Sequence, residues 1–209
     1  MYTPPSFREE DPAVLHDLIR RNNFGILFSS GTQGPVGTHL PFSLDVAEDG
    51  SATLVSHMAR ANPQWRDLGP EAEVLVVFAG PHVYVSPSWY REKVTVPTWN
   101  YAAVHVYGVP RIVEDPAVLR AQVSRLVRDH ESPRHEPWDV ANAAPVMDNL
   151  LKAIVGFEIP VSRMEGKMKF NQNRSREDQE GVIQALEGED DTMARATVEI
   201  MRRNLERAR

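Results

Sequence analysis

Phe24-Gly-Ile-Leu-Phe-Ser-Ser-Gly-Thr-Gln-Gly-Pro-Val-Gly-Thr-His-Leu-Pro-Phe-Ser-Leu-Asp45 holds a short apolar run, a turn and an alternating run in immediate succession. Phe24 to Phe28 reads as a strand, Ser29 to Gly34 as turn chemistry, and Pro35 to Asp45 as a second strand. In that second strand Leu40, Phe42 and Leu44 fall on one face and His39, Pro41 and Ser43 on the other. Glu48-Asp-Gly50 turns the chain once more into Ala52 to His57. Three strands joined by tight turns make an antiparallel meander.

The same grammar extends in both directions. Upstream, Asp11-Pro12 is a helix cap followed by proline at the first helical position, and Val14, Leu15, Leu18 and Ile19 recur at helical spacing as far as Asn22. Downstream, 61–68 reads as a short helix or turn. Val74 to Ala79 is a strand, and Val83 to Ser86 continues the sheet after a break at Gly80-Pro81. Thr98 to Val113 is a long β-rich run with a bend or bulge at Gly108-Pro110. Asp115-Pro116 opens a second capped helix to Asp129, followed by a polar loop from Glu131 to Pro137. A further helix precedes a strand in the second half of 150–160, and 175–186 and 190–207 are terminal helices. Strands about 8–12 residues apart with glycine and proline turns predict a barrel or sandwich decorated by helices. No glycine-rich loop leads from a strand into a helix, which excludes the Rossmann and P-loop readings.

Composition narrows the function. The 209 residues contain no cysteine, so disulfides, thiolate metal sites and thiol nucleophiles are excluded together. No apolar run approaches the length of a membrane span and the first residues lack the order of a signal peptide, so a cytoplasmic protein is expected. A net charge of −6 argues against a broad nucleic-acid footprint. The basic cluster Met201 to Arg209 closes a helix that begins acidic at Glu187 to Asp191, as the helix dipole favours. Neither a serine–histidine–aspartate set nor paired carboxylates stand out, so chemistry is expected to belong to a bound cofactor.

Gly80 to Gly108 is the segment that suggests a ligand. It holds four of the chain's five tyrosines and two of its four tryptophans, with Arg91, Glu92 and Lys93 as its charged residues. Rings among strand residues with a basic tip suit a planar, anionic partner. Ser56 to Trp65 ends a strand and opens a short helix, where free backbone N–H groups near Arg60 and Asn62 would cradle an anion. Lys167 and Lys169 alternate as strand residues and could neutralise a ligand or pair with surface acids. His57 could ligate a haem iron or be an ordinary strand histidine.

Met1-Tyr-Thr-Pro, Thr38-His-Leu-Pro-Phe, His57-Met-Ala-Arg-Ala-Asn-Pro-Gln-Trp65, Gly80 to Tyr90, Val96-Pro-Thr-Trp-Asn-Tyr101 and Glu165-Gly-Lys-Met-Lys-Phe-Asn-Gln-Asn173 together resemble the PaiB family, in order and nearly end to end. The family commonly carries serine where this chain has Asn171. The resemblance implies an α+β fold, mainly an antiparallel split β-barrel of the FMN-binding type decorated by helices. Residues 1–174 would form the cofactor-binding barrel and 175–209 a C-terminal helical extension. It implies a homodimer with FMN at the subunit interface, acting as a negative transcriptional regulator, directly or indirectly, or as a flavin-linked redox protein. Direct DNA binding is not expected at this net charge. By the resemblance, Arg60, Asn62 and Lys93 would contact the FMN phosphate, and Trp89, Trp99 and Asn100 would neighbour the ring. Thr38, His39, Ser56, His57, Met58, Ala59, Tyr90, Pro97, Thr98, Lys167, Lys169 and Gln172 would complete the lining. Piperazate synthases, which are similar to this family and use haem to form an N–N bond, provide the alternative: haem b with His57 as the axial ligand. No catalytic residue is assigned under either cofactor.

Overall fold

The computed structural model describes residues 1–31 and 34–207. Among them are nine strands and five helices: β1 (Arg8–Glu9), α1 (Pro12–Arg21), β2 (Phe24–Gly31), β3 (Gly34–Pro41), β4 (Ser43–Val46), β5 (Ala52–Ala59), β6 (Val74–Val85), β7 (Thr98–Gly108), β8 (Arg111–Val113), α2 (Pro116–Glu131), α3 (Ala144–Lys152), β9 (Ile154–Lys169), α4 (Arg176–Glu187) and α5 (Thr192–Arg207). The sheet order is β3-β2-β6-β7-β9-β5-β4, with β1 and β8 also paired to β9. The pairings β2–β3, β2–β6, β4–β5 and β5–β9 are antiparallel. This is the antiparallel split β-barrel with helical decoration.

Four local expectations change. The turn placed at Ser29 to Gly34 is narrower, because β2 continues to Gly31 and pairs directly with Gly34; Thr32 and Gln33 lie outside the described residues. The single strand expected over 35–45 is two strands. β3 pairs with β2, β4 pairs with β5, and the partner changes at Pro41-Phe42. Proline has no N–H for a ladder, the Pro41 carbonyl accepts from Ser56 Oγ at 2.7 Å, and the Phe42 side chain turns into the core. The expected break at Gly80-Pro81 is no break. β6 runs through it, and its buried positions shift from Val74, Val76, Phe78 and Gly80 to Val83 and Val85. The strand thus exchanges its two faces by slipping one residue in phase. Finally, the strand in 150–160 and the alternating lysines at 167–169 belong to one 16-residue strand, β9. The bend at Gly108-Pro110 stands as expected. A Cβ at Gly108 would lie 2.2 Å from the Pro160 carbonyl oxygen, so only glycine permits that backbone approach.

The chain packs as two compact units. A middle unit comprises Ile19–Phe78 and His105–Met164, and a terminal unit comprises Met1–Leu18, Ala79–Val104 and Glu165–Arg209. The core of the middle unit is aromatic. Phe42 stands edge-on to Phe78 at 5.5 Å and to Phe157 at 6.4 Å, and all three rings are buried. Outside it, Leu119 of α2 and Met147 and Leu151 of α3 form a smaller apolar cluster with Val113 and Ile154. In the terminal unit, Val182, Ile183 and Leu186 of α4 and Ala194, Val198 and Met201 of α5 are buried. Tyr90 and Phe170 are buried in the same unit. Both expected cap-plus-proline signals are real: Asp11 accepts from Ala13 N at 2.9 Å and Asp115 from Ala117 N at 2.7 Å.

Candidate functional site

In the terminal unit two lysines share one face of β9. Lys167 is buried, and its Nζ donates to the Tyr2 carbonyl at 3.0 Å. The ammonium also lies 5.2 Å from the Tyr101 ring and 5.7 Å from the Tyr2 ring, a cation–π cage. Lys169 donates to Thr98 Oγ1. Burial, and then the charge of Lys167, pushes the Lys169 ammonium below the usual lysine range. Neither lysine pairs with a carboxylate among the described residues, so the two like charges stand together uncompensated. Such an arrangement gains when an anion arrives.

The predicted ring neighbours divide. Trp99 is 55% exposed and packs edge-on against the exposed Tyr84 at 6.0 Å. These two rings are available to a ligand. Asn100, by contrast, is 0% exposed, and its Nδ2 faces Met201 Sδ of α5 at 3.6 Å. Its Oδ1 is buried with no hydrogen-bond partner. β7 alternates, so Trp99 and Asn100 necessarily point to opposite faces. Tyr90 is buried, with its hydroxyl accepting from Asn171 Nδ2 at 2.7 Å and the Arg174 guanidinium 4.9 Å from its ring. Asn171 has φ +62°, the left-handed region in which asparagine is among the best-tolerated side chains. Gln172 spends its amide on its own turn, accepting from Phe170 N at 2.6 Å and donating to the Met168 carbonyl.

Trp89 is half-buried, while Lys93 and Pro97 are exposed on the segment between β6 and β7. That segment is anchored by a residue the sequence reading missed. Asp178 of α4 is 3% exposed, and its Oδ1 accepts from Arg91 N at 2.7 Å and Glu92 N at 3.1 Å. α4 can come this near because Gly181 has no Cβ; one built there would sit 2.3 Å from the Trp89 carbonyl oxygen. An acid at the third position after the cap Ser175 is what a helix start commonly carries, so nothing local marks its long-range role. Asp178→Ala leaves two amides without their acceptor, so stability should fall by about 2 kcal/mol, read as a shift in the denaturation midpoint. A variant as stable as the parent would show that the 91–92 amides are satisfied otherwise.

In the middle unit the block at 56–65 is tied into the fold. The anion cradle expected from free N–H groups is not there: Arg60 N donates to the Ala153 carbonyl at 2.8 Å and Asn62 N to the Ala59 carbonyl at 2.9 Å. Arg60 is pinned, with Nε on the Lys152 carbonyl and Nη2 on the Ile154 carbonyl, both at 2.9 Å. Asn62 caps the short helical turn Pro63–Asp67, accepting from Gln64 N at 3.0 Å, while its Nδ2 donates to Thr38 Oγ1 at 3.0 Å. Gln64, also missed, is buried and donates to the Leu27 carbonyl, Ser29 Oγ and the Val36 carbonyl at 3.1, 3.1 and 3.2 Å. Ser56 and Met58 share the core-facing side of β5 with Phe157 and Val155, and Met58 is itself core. His57 points to the opposite face, half-buried and without a hydrogen-bond partner among the described residues; burial pushes its imidazole below the usual range. Ala59 is exposed at the strand end, and His39 is exposed against Phe24 at 6.1 Å.

The "Putative FMN-binding domain" family model matches residues 1–163. The chain is 34% identical over 209 residues to the "Protease synthase and sporulation protein PAI 2" of Bacillus subtilis, covering 99% of each chain. Among solved structures it is similar to the flavocytochrome Anf3 of Azotobacter vinelandii, with TM-score 0.58, 11% identity, and 78% of this chain and 69% of that chain covered. It is likewise similar to the FAD and heme binding protein of Mycobacterium smegmatis, with TM-score 0.55, 14% identity, and 78% and 73% covered. At these identities the two structures speak for the fold. The full-length sequence match and the family model together place the chain in the PaiB family of FMN-binding split-barrel proteins.

Proposed function

We propose that this protein is a homodimer that holds FMN at its subunit interface, with the phosphate engaged by Lys169 beside Lys167. It would serve in the cytoplasm as a flavin-linked redox protein or as a negative regulator acting without direct DNA contact. The observation that carries this reading is the uncompensated lysine pair, whose mutual repulsion an anionic ligand would relieve. A phosphate also accepts several charge-assisted hydrogen bonds at once. Exposed Trp99 and Tyr84 give the isoalloxazine a surface to stack on. Together with exposed Tyr2, Val94 and Val96 they make the terminal unit rich in apolar surface that a second copy would cover. Bound flavin would supply the electron-transfer chemistry, and the protein would bind, orient and shield it. The barrel of 1–174 would carry the cofactor and the helices of 175–209 would brace the segment that Asp178 anchors.

The test is a titration of the purified protein with FMN and with riboflavin, alongside a mass measurement by light scattering. FMN should bind with the paired visible bands of a flavoprotein, more tightly than riboflavin, to a particle of twice the chain mass. Equal affinity for the two flavins would remove the phosphate site, and a monomer at saturating FMN would remove the interface.

One observation favours a second reading. His57 is half-buried on the face of β5 opposite Ser56 and Met58, has no hydrogen-bond partner among the described residues, and is held toward the neutral form that ligates metals. Under this reading the cofactor is haem b, as in a piperazate-synthase-like enzyme. Added haemin should give a sharp Soret band that is lost in His57→Ala; a band unaltered by that substitution would end the reading.

A further inference from the structure

We infer that the middle unit carries a second small-molecule site, a groove that takes a flat apolar molecule bearing one carboxylate. The groove has a volume of about 890 Å³, within the range of roughly 300–1,000 Å³ that ligand pockets occupy. Buried Leu119 and Leu151, with Val113 and Val155, give it an apolar floor. Trp65 supplies a flat wall, and that wall is fixed, because its Nε1 donates to the Arg60 carbonyl at 3.0 Å.

The charges in the lining decide which apolar molecule fits. Arg120 of α2 is neutralised by Asp148 of α3. Outside that pair the lining holds two cations, Arg60 and Lys152, and one carboxylate, Glu114. Neither cation has a carboxylate partner among the described residues. Arg60 is the better placed. Two backbone carbonyls already hold its guanidinium at 2.9 Å, and Nη1 has no acceptor among the described residues. Its rotamer freedom was therefore surrendered on folding, and engaging an anion orders nothing further. The guanidinium also lies 6.0 Å from the Trp65 ring, and that of Arg66 lies 5.2 Å from it. A flat body against the indole with its acid toward Arg60 uses the apolar floor, the fixed wall and the held cation. A neutral analogue of the same shape leaves the cation unanswered. The inference goes beyond the cofactor reading, since it uses neither Lys167 nor Lys169.

The experiment is calorimetric titration of the FMN-saturated protein with 1-naphthaleneacetate and, separately, with 1-naphthaleneacetamide, which keeps the shape and replaces the carboxylate by a neutral amide. The acid should bind about 10-fold more tightly than the amide, the worth of one charge-assisted contact. Arg60→Gln should abolish that preference, and Ala117→Trp, which fills the groove from the first turn of α2, should abolish binding of both. If Arg60→Gln does not fold, Lys152→Glu takes its place and should reduce the preference. Equal affinity for acid and amide, no binding of either, or a preference that survives these charge changes would overturn the site. So would competition between FMN and the acid, which would return the ligand to the cofactor's own site; failure to bind FMN would touch only the cofactor reading.

Discussion

Lys169→Met is expected to bind FMN about 10–100-fold more weakly than the parent while riboflavin affinity stays unchanged. The magnitude is that of one charge-assisted phosphate contact, about 1.5–3 kcal/mol. The specificity for the phosphorylated flavin is the informative part, because a general disturbance of the fold would weaken both flavins together. Lys169→Arg should restore much of the affinity, since it returns the charge. The pH dependence follows from the lowered lysine pKa. Phosphate binding needs the ammonium, so FMN affinity should decline as pH rises through the lowered folded-state value, below the usual lysine range. That decline should be absent for riboflavin and in the methionine variant. In the cofactor-free protein the sign reverses. Between the lowered folded value and the ordinary unfolded one, the unfolded chain binds more protons, so stability rises with pH there. A methionine variant that loses FMN and riboflavin equally would remove Lys169 from the phosphate site.

Phe157→Ala should cost about 3–5 kcal/mol, the usual range for deleting a fully buried ring. Phe157 has no exposed surface and meets Phe42 edge-on at 6.4 Å, and Phe42 in turn meets Phe78. The ring therefore belongs to a buried aromatic cluster contributed by β9, β6 and the junction before β4, and its loss leaves a cavity among side chains that are themselves buried. Denaturation followed by tryptophan fluorescence would measure the loss. Phe157→Leu, which keeps most of the volume, should lose much less. Losses that are equal, or an alanine variant within about 1 kcal/mol of the parent, would show that the aromatic stack is not the packed centre of the middle unit.

These two residues differ in how far the sequence announced them. Lys169 was legible because strand alternation at 167–169 is a local signal, and because the surrounding motif resembles a family that binds an anionic cofactor. Phe157 was legible only as part of an apolar run, since local pattern says that a ring is buried but not against which others. Asp178 and Gln64 were missed for one reason. Each looks like a helix-start residue beside its own cap, while its partners, Arg91 and Glu92 for one and Leu27, Ser29 and Val36 for the other, are distant in sequence. Asn100 and Arg60 erred in the other direction. Asn100 stands beside Trp99 and looked free to meet a ligand, yet the fold faces it toward Met201. Arg60 was read at a helix start with open N–H groups, yet its own N–H and that of Asn62 are bonded and its guanidinium is fastened to α3.

The chain's own order of apolar alternation, turn residues and proline caps determined the antiparallel strands and the helix starts, because each is set by contacts within a few residues, and narrowed the fold to a barrel or sandwich. The split barrel followed only from the resemblance to a family. The change of partner at Pro41, which those signals did not show, and the break at Gly80-Pro81, which they showed and the fold does not have, depended on which strand lay alongside. Tertiary structure alone decided which cations were left without a counter-charge. An ion pair is made between side chains that only the finished fold brings together. Lys167 and Lys169 became a candidate anion site, and Arg60 the anchored cation of a groove, when the fold offered them carbonyls, a hydroxyl and rings but, among the described residues, no carboxylate partner.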